Sequence, residues 1–212
     1  GQPRRLHNRS NLLRTRDGRL LLGGQALRFR PAFRSSVALY ASADDGTSFQ
    51  YLCTAIDDCG VGVFEDPCLY ITPANRWMVL SRCHKLADGT AFPRAHLVYV
   101  YSDDEGRSWS EPIDAGFHAE PTACCRMADD RVLVAYGYRQ PDGFGVRAKV
   151  CAPELNDLAT APEFIIRDDC SFIDTGYPNI APLGGNRYLV VYYMHKPEYR
   201  GASAIEATIL EA

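Results

Sequence analysis

Three loops gather side chains able to do chemistry: Phe64-Glu65-Asp66-Pro67, His118-Ala119-Glu120-Pro121 and Asp174-Thr175-Gly176-Tyr177-Pro178. A second set holds Arg82-Cys83-His84, Tyr138-Arg139, Arg147 and His195. Carboxylates move protons or accept hydroxyl hydrogen bonds, a phenol can act as a nucleophile, and a guanidinium fork pairs bidentately with a carboxylate. Turn geometry accounts for the prolines and glycines here. It does not account for Glu, Arg, His and Tyr collecting in the same kind of loop, which on a rigid scaffold is where ligands bind. His84, His118 and His195 stand singly, without the spacing metal ligands need, and no Gly-x-Ser-x-Gly segment occurs. Neither a metal, a cofactor nor a serine hydrolase triad is expected.

The elements that position these loops follow from an internal repeat. Four segments share an extended apolar stretch, a tight polar turn ending in arginine and a hydrophobic run: Asn11 to Leu22, Pro67 to Leu80, Pro121 to Val134 and Pro178 to Val191. Their arginines, Arg19, Arg76, Arg131 and Arg187, recur every 55 to 57 residues. Each unit reads as strand, hairpin turn, strand, followed by a third strand at Ser36–Ala41, Ala95–Tyr101 or Val146–Cys151 and then a fourth. Long helical periodicity is absent, and Pro153–Ala161 has room for one short helical turn at most. Four short strands in about 56 residues is the arithmetic of a β-propeller blade. A serial sandwich does not require such self-similarity. The expected fold is all-β, a propeller of about four blade-like repeats, near 8–62, 63–117, 118–173 and 174–212 of one region spanning 1–212.

Two turns between third and fourth strands fit Ser-x-Asp-x-Gly-x-Ser-aromatic: Ser42, Asp44, Gly46, Ser48, Phe49 and, one repeat later, Ser102, Asp104, Gly106, Ser108, Trp109. The aspartate is expected to accept amide hydrogens within its own turn, the glycine to take a positive φ, and the aromatic ring to tuck between blades. This is a folding staple rather than a calcium site. Composition narrows the rest. With 23 Lys and Arg against 26 Asp and Glu, the chain lacks the basic surface of a general nucleic-acid binder. No apolar run reaches the length of a membrane helix. The eight cysteines form no Cys-x-x-Cys pair and are expected mainly as buried thiols. The chain begins at Gly1 with no visible signal peptide, as a processed or cut piece would.

The paired turn motif resembles the Asp-box, or BNR repeat, of the sialidase (neuraminidase) superfamily. That resemblance covers nearly the whole chain and implies part of a six-bladed propeller with its site at one end of the central channel. It also implies an exo-acting glycoside hydrolase that releases a terminal acidic sugar through a tyrosine nucleophile. Gly145-Val146-Arg147-Ala148 stands thirty residues before Gly176-Tyr177, Glu65 opens a first strand two repeats upstream, and Arg82 ends the strand that follows. By resemblance, Tyr177 is the nucleophile, Glu65 its base, and Arg82 and Arg147 clamps on the substrate carboxylate. Glu120, Arg139 and Asp66 are further rim contacts. Tyr177 precedes Pro178 where sialidases usually have serine, and the plainer reading is a channel-lining tyrosine. A first arginine and an acid/base aspartate belong to blades not matched here, so missing N-terminal blades are the expected partner. The alternatives are a non-catalytic propeller that binds carbohydrate or protein, and a propeller glycosidase or lyase for another sugar.

Overall fold

The computed structural model describes residues 5–7, 10–28, 34–57, 63–85 and 91–212. The chain divides into two compact units, residues 1–115 and 116–212. In chain order the first unit and its junction hold β1 (Arg5–His7), β2 (Leu12–Arg14), β3 (Leu20–Arg28), β4 (Arg34–Ser42), β5 (Gln50–Ile56), β6 (Phe64–Ile71), β7 (Trp77–Lys85), β8 (Ala91–Ser102) and β9 (Ile113–His118). The second holds β10 (Thr122–Arg126), β11 (Val132–Gln140), β12 (Gly143–Cys151), β13 (Glu163–Cys170), β14 (Gly176–Gly184), β15 (Arg187–His195) and β16 (Ser203–Glu211). These strands build four antiparallel sheets of β-propeller type, and no α-helix occurs among the described residues.

Two sheets are plain four-strand meanders, β6-β7-β8-β9 and β10-β11-β12-β13. The outer two depart from the expected uniform pattern. Among the described residues, β1 and β2 both pair with β3 in the first sheet, giving five strands, and the last sheet has three, β14-β15-β16. The segment expected to hold one short helical turn at most stays within that limit. Residues 153–161 form linked turns, whereas the short 3-10 helix lies at Pro197–Tyr199, where Pro197 pre-sets its first φ. Asp157 accepts the amide of Ala152, and buried Lys149 caps the carbonyls of Leu158 and Ala159, both at 3.1 Å.

Each unit is held by apolar faces that alternate along its strands. In the first, Leu21, Val37, Leu39 and Ile56 pack on Phe64, Leu69, Trp77, Val79 and Val100. In the second, Leu133, Ala135, Val146 and Ala148 pack on Tyr188, Val190, Tyr192 and Met194. Cys68, Cys83, Cys151 and Cys170 are buried free thiols.

The two acidic turns connect β4 to β5 and β8 to β9, and their hydrogen bonding is alike. Ser42 Oγ accepts the Gly46 amide at 2.8 Å and donates to Asp44, whose carboxylate accepts the Ser48 amide at 2.9 Å and the Ser48 hydroxyl at 2.6 Å. Ser102, Asp104, Gly106 and Ser108 repeat these bonds within 0.1 Å of the same lengths. The serine hydroxyls beside them hold both carboxyls down, to about 2. Gly46 and Gly106 take φ of 89° and 87°, and Trp109 packs against the core of the first unit. These bonds engage the aspartates locally, so the turns tie together the ends of the strands they connect.

Candidate functional site

In each unit the candidate residues, Arg147 apart, sit where a first strand begins and the second strand ends, the same end of an antiparallel pair. In the first unit, Glu65 on β6 lies directly opposite Arg82 on β7. Between Glu65 and Cys68 the first strand carries one extra residue, a β-bulge at Asp66-Pro67, with Asp66 at φ 49°. The bulge turns Asp66 inward, where its side chain is 5% exposed and 2.7 Å from Arg82 Nε. Arg82 Nη2 is also 3.1 Å from Glu65. His84 Nε2 lies 3.1 Å from the same Glu65 oxygen, and Gln25 donates to the other. Ser81 Oγ fixes the Glu65 carbonyl at 2.8 Å.

The hydrogen bond from His84, reinforced by the charge of Arg82, holds the Glu65 carboxyl down at about 2, against the ordinary 4.5. A depressed folded-state value means that Glu65 contributes stability in full above pH 4.5 and loses it as pH falls towards 2. The unfolding free energy of the parent should therefore decline relative to Glu65→Gln across that window. A difference that stays constant from pH 5 downwards would show that the carboxylate is not held by these partners.

In the second unit Tyr177 occupies the corresponding bulge. Between Gly176 and Asn179 β14 again carries one residue more than β15, and Tyr177 has φ 49°, followed by proline as Asp66 is. Arg139, at the end of β11, is the hub. Its Nε and Nη2 donate to the carbonyl of Thr175 at 3.1 and 2.9 Å, Nη2 meets Asp174 at 3.1 Å, and Nη1 lies 3.9 Å from buried Glu120. The guanidinium stands 5.7 Å from the centre of the Tyr177 ring. Tyr177 stacks on Tyr193 at 5.7 Å and 24°, and the Tyr193 hydroxyl donates to Asp174. Burial and that bond push the Tyr193 phenol upward.

Arg147 lies elsewhere. It pairs across β11–β12 with Tyr136, whereas Arg139 pairs with Phe144. Residues two apart share a face, so Arg147 sits with Tyr136 and Tyr138, and Arg139 with Ala135 and Gly137 on the opposite face of the sheet. There Arg147 meets Glu163 at 2.6 Å and Asp142 at 3.5 Å, and covers the Tyr138 ring at 3.3 Å. Glu163 also accepts the hydroxyl of Tyr136. The structure thus gathers Glu120, Arg139 and Tyr177 into one cluster and Glu65, Asp66 and Arg82 into another, while Arg147 belongs to a separate pair.

Asp174 and Tyr193 are cluster members that sequence reasoning did not single out for a role at the site. A signal for Tyr193 was present: Arg82, Gly137 and Tyr193 stand 55 and 56 residues apart, in repeat register.

With this geometry in place, the comparisons give the class of fold. No protein-family model and no curated protein matches the sequence. Among solved structures, the chain is similar to a protein of unknown function from Dyadobacter fermentans, with 32% identity and a TM-score of 0.85 over 97% of this chain and 54% of that one. It is also similar to the alpha-L-arabinanase of Penicillium chrysogenum, with 16% identity, a TM-score of 0.65, and 95% and 64% of the two chains covered. A Hadza microbial sialidase matches at 16% identity and a TM-score of 0.62, over 95% of this chain and 45% of that one. The chain spans about half the length of the Dyadobacter protein. The fold is therefore a β-propeller, shared with solved structures named as glycosidases.

Proposed function

We propose that this chain is the glycan-contacting part of a β-propeller glycoside hydrolase, with the reacting sugar seated against Tyr177. The observation that carries this reading is the cluster of Glu120, Arg139, Asp174, Tyr193 and Tyr177 at the mouth of β14. Glycosidic cleavage needs a group that meets the developing positive charge at the anomeric carbon and an acid that protonates the leaving oxygen. The resemblance to sialidases gives Tyr177 the first role. Asp174 and Glu120 are the carboxyl groups of the same cluster that could carry a proton. Arg139 holds the Thr175 carbonyl and so fixes the loop from which the phenol projects. The likeness to propellers named as an arabinanase, a xylosidase and a sialidase supports the same chemistry.

Release of phenol from a panel of aryl glycosides of pentoses, hexoses and sialic acid tests this reading in the protein at its natural length. Hydrolysis of at least one member is expected, with loss of turnover and an unchanged melting temperature in Tyr177→Phe. Full turnover by that variant would remove Tyr177 from the chemistry, and turnover of no member would overturn the assignment.

A further inference from the structure

We infer that the rim accepts an uncharged glycan and disfavours a sugar carboxylate, an inference that rests on the glycan-active reading above. A site built for an acidic sugar keeps its guanidinium forks available for the ligand. Here each candidate clamp already faces two carboxylates of the protein itself. Arg82 has Asp66 at 2.7 Å and Glu65 at 3.1 Å. Arg139 has Asp174 at 3.1 Å and Glu120 at 3.9 Å. Arg147 has Glu163 at 2.6 Å and Asp142 at 3.5 Å. Each group therefore carries a formal excess of one negative charge. An incoming carboxylate would meet that excess negative charge and compete with the internal carboxylates, and at Arg82, where Asp66 is 5% exposed, leaving the internal one without its cation is costly.

The second observation is aromatic. Phe172, His195, Tyr193 and Tyr177 form a continuous strip. Phe172 meets His195 edge-on at 5.3 Å, His195 meets Tyr193 edge-on at 6.2 Å, and Tyr193 stacks on Tyr177 at 5.7 Å. Phe172 is 52% exposed, and the other three rings are partly so. The C–H faces of a neutral sugar can lie on such rings, which supply large and rigid apolar contact. Beside the strip, Asp174 keeps 58% of its side chain exposed. An ionised carboxylate only accepts hydrogen bonds, and sugar hydroxyls donate them. Stacking rings with acceptor carboxylates describe a subsite for an uncharged oligosaccharide.

Calorimetric titration of the natural-length protein with xylotetraose, arabinobiose and sialyllactose, at low and high salt, provides the test. A neutral sugar is expected to bind at least about tenfold more tightly than sialyllactose, a margin of one decade in Kd. Its affinity should not change with salt, since no ligand charge is screened. Phe172→Ala, at an exposed position, should weaken neutral binding by about tenfold, within the range measured for stacking contacts. Tighter binding of sialyllactose, or unchanged neutral binding in both Phe172→Ala and Tyr193→Ala, would overturn the inference while leaving a glycan-active rim. Binding of none of these sugars would overturn both.

Discussion

Replacing Gly176 with alanine should lower stability by about 3 kcal/mol, the sum of backbone strain and overpacking at one position. Two independent facts converge there. Gly176 has φ 103°, a conformation that L side chains rarely adopt. An added Cβ would also lie 2.7 Å from the Cα of Gly137, and backbone cannot swing aside as a side chain can. Gly137 is itself bonded on both sides, accepting the Glu120 amide at 2.9 Å and donating to the Pro121 carbonyl at 3.2 Å. β11 and β14 approach this closely because Gly176 lacks a side chain. The approach is also what lets Arg139 reach the Thr175 carbonyl. A fall in melting temperature on the order of 10 °C is expected for a unit of this size. Gly116→Ala is the control, at φ 78° with no atom within 4 Å of the added Cβ, and should lose only about 1 kcal/mol. If the two variants melt together, the close approach does not hold the unit.

Arg82→Met is the second large effect. It leaves Asp66, whose side chain is 5% exposed, without the cation 2.7 Å away, and stranding one member of a buried pair costs about 3–5 kcal/mol. The cause is the orphaned charge rather than the lost attraction, so Asp66→Asn in the Arg82→Met background should recover most of the loss. Asparagine suits this test because it tolerates the positive φ of position 66. Arg82→Lys should recover only part, since a single ammonium cannot serve both Glu65 and Asp66 as a planar fork does. Denaturant unfolding of the four proteins measures the ranking. A double variant no more stable than Arg82→Met would mean that the arginine acts through packing alone.

Much of the architecture was legible because a blade repeats its own chemistry. The turn arginines at intervals of 55 to 57 residues mark hairpins that the structure places between paired strands, and each finds a carboxylate nearby, as Arg76 does in Asp103 at 2.6 Å. Third strands were located to within four residues: β4 begins at Arg34 where Ser36 was expected, and β8 at Ala91 where Ala95 was expected. The three-strand last sheet was not legible, because strand number depends on pairing and not on local pattern.

The rim loops were legible as a set, but the groups they form were not. Arg147 shows why. Which face it takes depends on the register of the β11–β12 hairpin, where Tyr136 pairs with Arg147. Apolar residues flank it on both sides in sequence, so periodicity could not choose. Asp142 was a legible partner for Arg147, close to it in sequence, whereas Glu163 was hidden because it comes from another strand. The sialidase resemblance implied that Arg82 and Arg147 clamp a substrate carboxylate, whereas the pairing distances place carboxylates of the protein itself beside both.

The bulge that recurs at Asp66-Pro67 and Tyr177-Pro178 has a consequence for how such a rim can change. Both residues hold φ at 49°, both precede a proline, and both gain one residue on the neighbouring strand. One mechanical socket therefore displays a carboxylate in the first unit and a phenol in the second. The backbone supplies the aim, and the side chain supplies the reactivity. In a propeller made this way the same backbone device serves blades whose side-chain chemistry differs.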